Sequence, residues 1–187
     1  MLPIERYTSA EDRALAQVHA GELQALRAEL RRCLPGVDVE RHGIAFRRRR
    51  GMVAGPPALT LWVWLPPADA PAGPDLPRRA GQAFRRYGQA LVRQLVARSP
   101  VFADPRVGGY GLILTWLGPT QREGRPVGES VAVFADKVAT ANLAHDTITA
   151  DVFLSRVEVR LFDGETELGP LRLGPQDDGV AAVSAAC

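Results

Sequence analysis

Hydrophobic and polar positions alternate along this chain with two different periods, and the least polar run, Ala58 to Leu65, lies between Pro56-Pro57 and Pro66-Pro67. Its β-branched and aromatic residues fit a pleated strand, and the run is too short to cross a membrane as a helix. Prolines at both ends stop it. Alternation places Leu59, Leu61, Val63 and Leu65 on one face and Thr60, Trp62 and Trp64 on the other. Both faces are apolar, so both need cover: helices on one, and on the other either more of the chain or a partner.

Helical periods flank this strand. Thr8-Ser9-Ala10-Glu11 has the form of a capping box, and Leu15, Val18, Leu23, Leu26, Leu30 and Leu34 follow as one apolar stripe that Pro35-Gly36 ends. A second long helix is expected after Asp75 and Pro77, with Phe84, Tyr87, Leu91 and Leu95 at helical spacing, Val92 and Val96 widening the stripe, and Ser99-Pro100 closing it. Between strand and helix, residues 66 to 75 read as an extended proline-rich connector.

The remaining strands follow from period two. Val37 to Glu40 and Ile44 to Arg47 form either one bent strand or a short hairpin about Gly43, antiparallel to the 58–65 strand because Gly51 to Pro57 is too short for a crossover helix. Tyr110 to Leu117 is a second strand apolar on both faces, the natural neighbour of the first. A polar loop from Gly118 to Gly124 leads to a hairpin partner at Ser130 to Phe134. Residues 136 to 145 are weakly helical, and residues 149 to 155 hold a short turn. Arg156 to Phe162 alternates strictly, Asp163-Gly164 marks a tight turn, and Glu167 to Leu173 returns. The order implies an α+β fold: a mainly antiparallel, twisted sheet of five to seven strands with two long helices packed on one face. Residues 1–173 form a single domain in this reading, and 174–187, small and turn-rich, a disordered C-terminal tail.

Composition adds a few exclusions. Of 23 basic residues only Lys137 is a lysine, and with abundant Ala, Gly and Pro this bias resembles GC-rich bacterial coding. A formal net charge of +2 is low for a nucleic-acid-binding domain, so nucleic acid is not the expected partner. No run has the length of a membrane span and no charged leader precedes an apolar core, so a cytoplasmic location is expected. Two cysteines, Cys33 and Cys187, make neither a disulfide framework nor a zinc site.

The search for chemistry is mostly negative. Nucleophile-elbow, phosphate-loop, dinucleotide and zinc-protease motifs are absent. His19 lies in the first helical stripe with no evident partner, His145-Asp146 is an adjacent loop pair, and His42 is distant from both. No catalytic residue, cofactor or metal is therefore assigned. The candidates for function are partner-binding ones: Trp62, Trp64 and Trp116 as aromatic anchors on sheet faces, and Arg47, Arg48, Arg49 and Arg50 as a cationic run. The function expected is a non-catalytic interaction or scaffold subunit of a bacterial assembly that binds another protein chain through an apolar sheet face. The alternatives are a small-molecule or hydrolytic pocket between helices and sheet, and an arginine-mediated anion or nucleic-acid binder.

Overall fold

The computed structural model describes residues 1–48, 55–171, 173 and 181–183. Arg49, Arg50 and most of the 174–187 segment lie outside the described residues. The chain opens with α1 (Ala10–Val18) and α2 (Ala20–Cys33). Ser9, not Thr8, caps α1, its hydroxyl accepting from the Asp12 N–H at 3.3 Å. The predicted single helix breaks at His19, whose side chain is held by Asp104 from a distant segment; that tertiary contact is invisible to local periodicity.

Strand β1 (Asp38–Arg47) is bent rather than a hairpin, with a bulge between Val39 and Ile44. Gly43 sits in that bulge because a Cβ there would come within 2.3 Å of the Trp62 carbonyl oxygen. The β1 edge is partly occupied by the chain's own start, with Leu2 donating to the Ile44 carbonyl at 2.9 Å. Strand β2 (Ala58–Trp64) pairs antiparallel with β1, as its short connection requires.

After β2 the chain crosses over through helices. Asp75 caps α3 (Leu76–Ala83) by accepting from the Arg78 N–H at 2.8 Å, with Pro77 in the first turn. This helix runs through a π-helical stretch, Phe84–Gly88, into α4 (Gln89–Val96), and α5 (Ser99–Ala103) follows. Among the described residues the run from Leu76 to Val96 is the one long helix. The first long helix expected from the sequence, from the capping box to Leu34, is instead the pair α1 and α2.

The crossover makes β3 (Gly109–Arg122) parallel to β2, so the sheet is mixed although mostly antiparallel. β3 and β4 (Arg125–Asp136) are longer than the sequence implied, because Glu123 and Gly124 both take positive φ and join them by a two-residue turn in place of the polar loop. After α6 (Lys137–Ala144) and α7 (Ala150–Arg156), β5 (Glu158–Asp163) and β6 (Thr166–Leu171) complete what is, among the described residues, a six-stranded sheet in sequence order β1-β2-β3-β4-β5-β6.

The helices share one layer. Leu23, Leu26 and Leu30 of α2, Phe84, Leu91 and Leu95 of the long run, Leu143 of α6 and Phe153 of α7 are buried in one cluster with Leu59, Leu61 and Val63 of β2 and Leu112, Leu114 and Val131 of the β3–β4 hairpin. Phe84 and Phe153 stack with ring centroids 5.5 Å apart. Leu173 is buried in the same core, and Val183 donates its backbone N–H to the Arg86 carbonyl at 2.7 Å. No described helix is long and apolar enough to cross a membrane.

Candidate functional site

With all described helices on one side, no second layer of described residues lies on the other face of the sheet, and strand register determines what it carries. Pairing puts Trp62 beside Ile113, Ile113 beside Ala132, and Ala132 beside Arg160 in one row across four strands. A parallel row holds Trp64, Thr115, Ser130, Phe162 and Glu167, and another holds Ala45, Thr60, Gly111, Phe134 and Glu158. An outward face of a half-covered sheet ordinarily reads polar, as β5 does with Glu158 and Arg160. β2, β3 and β4 instead contribute Trp62, Trp64, Ile113 and Phe134, all partly exposed, and Leu117 beyond them is exposed.

These rings lie low across the sheet because small residues beneath them allow it. A Cβ on Gly111 would come within 2.9 Å of the Phe134 ring, and one on Gly128 within 3.2 Å of the Trp64 ring. Glycine at these cross-strand positions lets an aromatic ring cover bare backbone. Trp64 is fixed by donating from Nε1 to Glu40 Oε2 at 2.8 Å. Trp62 donates from Nε1 to Thr115 Oγ1 at 2.8 Å, and Thr115 shares a further 2.8 Å hydrogen bond with Ser130 Oγ.

Between these side chains is a cleft of about 350 Å³, floored by Trp62, Ile113, Ala132 and Phe134 and walled by Phe162, with Arg47, Arg48, Arg160 and Glu167 at its margin. That volume falls in the range of ligand-sized pockets, roughly 300–1,000 Å³. The buried Thr60 hydroxyl, also in the lining, has no hydrogen-bond partner among the described residues. Arg160 is braced by Glu158 at 2.6 Å and Glu167 at 2.9 Å. Arg47 donates to the His42 carbonyl at 3.1 Å and makes no ion pair with a described residue.

The sequence candidates separate clearly. Trp62 and Trp64 share the uncovered face, and Arg47 and Arg48 stand at its edge, Arg48 turned toward Glu11. Trp116 is corrected out of the set: it is 1 % exposed, faces the helices, and donates from Nε1 to Glu129 Oε2 at 2.8 Å. Its carboxylate partner is held in turn by Arg79, Nε to Oε2 at 2.8 Å and Nη2 to Oε1 at 2.6 Å, in a fully internal network. Phe134 and Phe162 were not singled out by the sequence reading. The strict alternation of Arg156, Glu158, Arg160 and Phe162 carried a signal for the second, an aromatic residue closing an otherwise polar face.

Elsewhere the structure gives His19 the partner that its sequence context lacked. His19 Nε2 lies 2.9 Å from Asp104 Oδ2, and Arg106 bonds the same carboxylate from Nε to Oδ1 at 2.9 Å. The Arg106 guanidinium, with His19 assisting, holds the Asp104 carboxyl far below the usual carboxylate range. His19 is buried against Phe46, with ring centroids 5.9 Å apart, and with Asp104 it clamps the α1–α2 break to a distant segment. Against the expectation that the two cysteines make no disulfide framework, Cys33 is disulfide-bonded and offers no thiolate. Asp146, next to His145, pairs with Arg93. Among the described residues no group of His, Cys, Asp or Glu could hold a metal ion. Comparison with known proteins adds no relative: no family model, curated protein or solved structure matches the chain.

Proposed function

We propose that this protein is a non-catalytic interaction module, a scaffold subunit that docks another protein chain on its uncovered sheet face. One observation carries the reading: the face that has no helical layer is the one that bears Trp62, Trp64, Ile113, Phe134 and Phe162. Contiguous exposed apolar surface of this kind marks interaction sites, and tryptophan is enriched where binding energy concentrates. The rings are held in place before any partner arrives, Trp62 by Thr115 and Trp64 by Glu40, which lowers the ordering cost of association.

Site-specific photo-crosslinking in cells that express the full chain tests this reading. A benzophenone side chain at position 162 should trap a protein partner, whereas the same group at 138, where Val138 is exposed on the helical side, should not. Equal capture from both positions, or none from 162, would refute docking on this face. Trp62→Asp should abolish the capture at 162 while the purified variant keeps its far-ultraviolet circular dichroism.

A further inference from the structure

On the uncovered face the strands on either side of β3 exchange large residues for small. β2 carries Trp62 and Trp64 in the rows where β4 carries Ala132 and Ser130, and β4 carries Phe134 in the row where β2 carries Thr60. The three rings are partly exposed, whereas Ala132, Ser130 and Thr60 are buried at the base of the relief. The cleft of about 350 Å³ is the low part of that relief. A two-fold axis running along β3, just above the face, turns the exchange into a fit. It lays β2 of one copy over β4 of another with the rows in register, so Trp62 meets Ala132 of the second copy, Trp64 meets Ser130, and Phe134 meets Thr60. Ile113 meets its own counterpart at the axis. These contacts are reciprocal, as an isologous interface requires. An axis across the strands at the Trp62 row would instead set Trp62 on Trp62 and Ala132 on Ala132, ring on ring and gap on gap.

Resting on the docking reading, we infer that the chain docked on this face is a second copy of this one, packed sheet to sheet about a two-fold axis parallel to β3. Sheets in such contact keep their strands within roughly 30° of each other at a separation of about 10 Å, the depth that interdigitating side chains fill. With β1 to β5 overlapping, strand spacing and rise give roughly 550 Å² on each copy, or roughly 1,100 Å² in all. That clears the ~1,000 Å² expected of a specific interface. Charged groups of both signs, Arg47, Arg160 and Glu167 among them, stand at the margin, where an interface carries its polar rim. The centre is apolar and aromatic, and its indoles are already held by Thr115 and Glu40, so they seat without reordering.

Sedimentation equilibrium of the purified full chain, from about 1 to about 100 µM, supplies the test. Twice the mass of one chain is expected at the upper concentrations. Trp62→Asp and Phe134→Asp should each weaken association by about thirtyfold or more, as for anchors at the centre of an interface. Far-ultraviolet circular dichroism and a thermal melt show which variants are folded, and either one suffices. Val138→Asp, on the exposed helical side, should leave association unchanged. The geometry has its own readout: with a benzophenone side chain at position 62, a mixture of isotopically labelled and unlabelled chains should give mixed-label peptides that join position 62 to β4. A chain that stays monomeric at the highest concentration, a dimer that folded Trp62→Asp or Phe134→Asp leaves intact, or mixed-label links from position 62 to β2 or to the helices would each overturn the inference. The docking reading fails separately: capture of a different protein from position 162 in cells, with the purified chain monomeric, would remove the second copy and keep docking on this face.

Discussion

The internal Arg79–Glu129–Trp116 network gives the sharpest test of how the sheet is held under its uncovered face. Glu129 is 2 % exposed and Arg79 8 %, and the carboxylate receives two guanidinium bonds and the Trp116 indole N–H. Hydrogen bonding to Glu129 raises the Arg79 pKa, the direction expected when the charged pair is the folded form. In Arg79→Met the side-chain volume largely remains but the carboxylate is left buried with one neutral donor. Breaking a buried pair from one side costs about 3–5 kcal/mol. The Gly73 carbonyl, which also loses its Arg79 donor, is exposed and can turn to water. For a chain of this size each kcal/mol shifts the melting temperature by roughly 2–4 °C, so the drop should be roughly 6–20 °C. The companion variant Arg79→Met/Glu129→Gln removes both charges and keeps an amide oxygen for Trp116. It should regain about 1–2 kcal/mol or more over the single variant, because the penalty lies in the orphaned charge and not in the lost bond. Urea and thermal unfolding of both proteins supply the comparison. A single variant within about 1 kcal/mol of the parent, or a double variant no better than the single, would refute this account.

Three further outcomes follow from the same packing. Trp116→Ala should cost about 3–5 kcal/mol in denaturant unfolding, while Trp62→Ala, on a partly exposed ring, should cost less than half as much; the reverse order would invert the assignment of sheet faces. Leu26→Ala and Leu91→Ala, both without exposed surface, should each lower stability by about 2–5 kcal/mol by the same measurement. Asp104 has a depressed carboxyl pKa in the folded state, so its contribution is present above the ordinary carboxylate range and fades as pH falls below it. Asp104→Asn should therefore flatten the acid limb of a stability-against-pH curve, and an unchanged acid limb would refute the clamp.

Much of this architecture was legible because its signals are local. Prolines fence β2, period two sorts Leu59, Leu61 and Val63 from Trp62 and Trp64, and Asp75 with Pro77 starts the long helix. What could not be read depends on contacts between distant segments. Alternation grouped Trp116 with Tyr110, Leu112 and Leu114, but only the pairing of Trp62 with Ile113 determines that this set faces the helices. The break at His19 depends on Asp104, far along the chain. Gly118-Pro119 reads as a loop, yet the strands run past it with a register shift between Leu117 and Gln121, because the turn signal that counts is Glu123-Gly124. The cleft was legible in half. Trp62 and Arg47 stood out as residue types, whereas Phe134 and Phe162 acquire meaning only when β4 and β5 bring them beside Trp62.

The parallel seam between β2 and β3 has a kinetic consequence. Each antiparallel neighbour pair can begin to form across a comparatively short connection, and the β3–β4 hairpin needs to close only two residues, a microsecond event. The seam instead joins Ala58–Trp64 to Gly109–Thr115 across the whole helical crossover, and such long-range pairing is the slow kind. Every row of the aromatic face crosses that seam. The aromatic face thus has no half-built form: until β2 meets β3, Trp62 and Phe134 belong to separate hairpins.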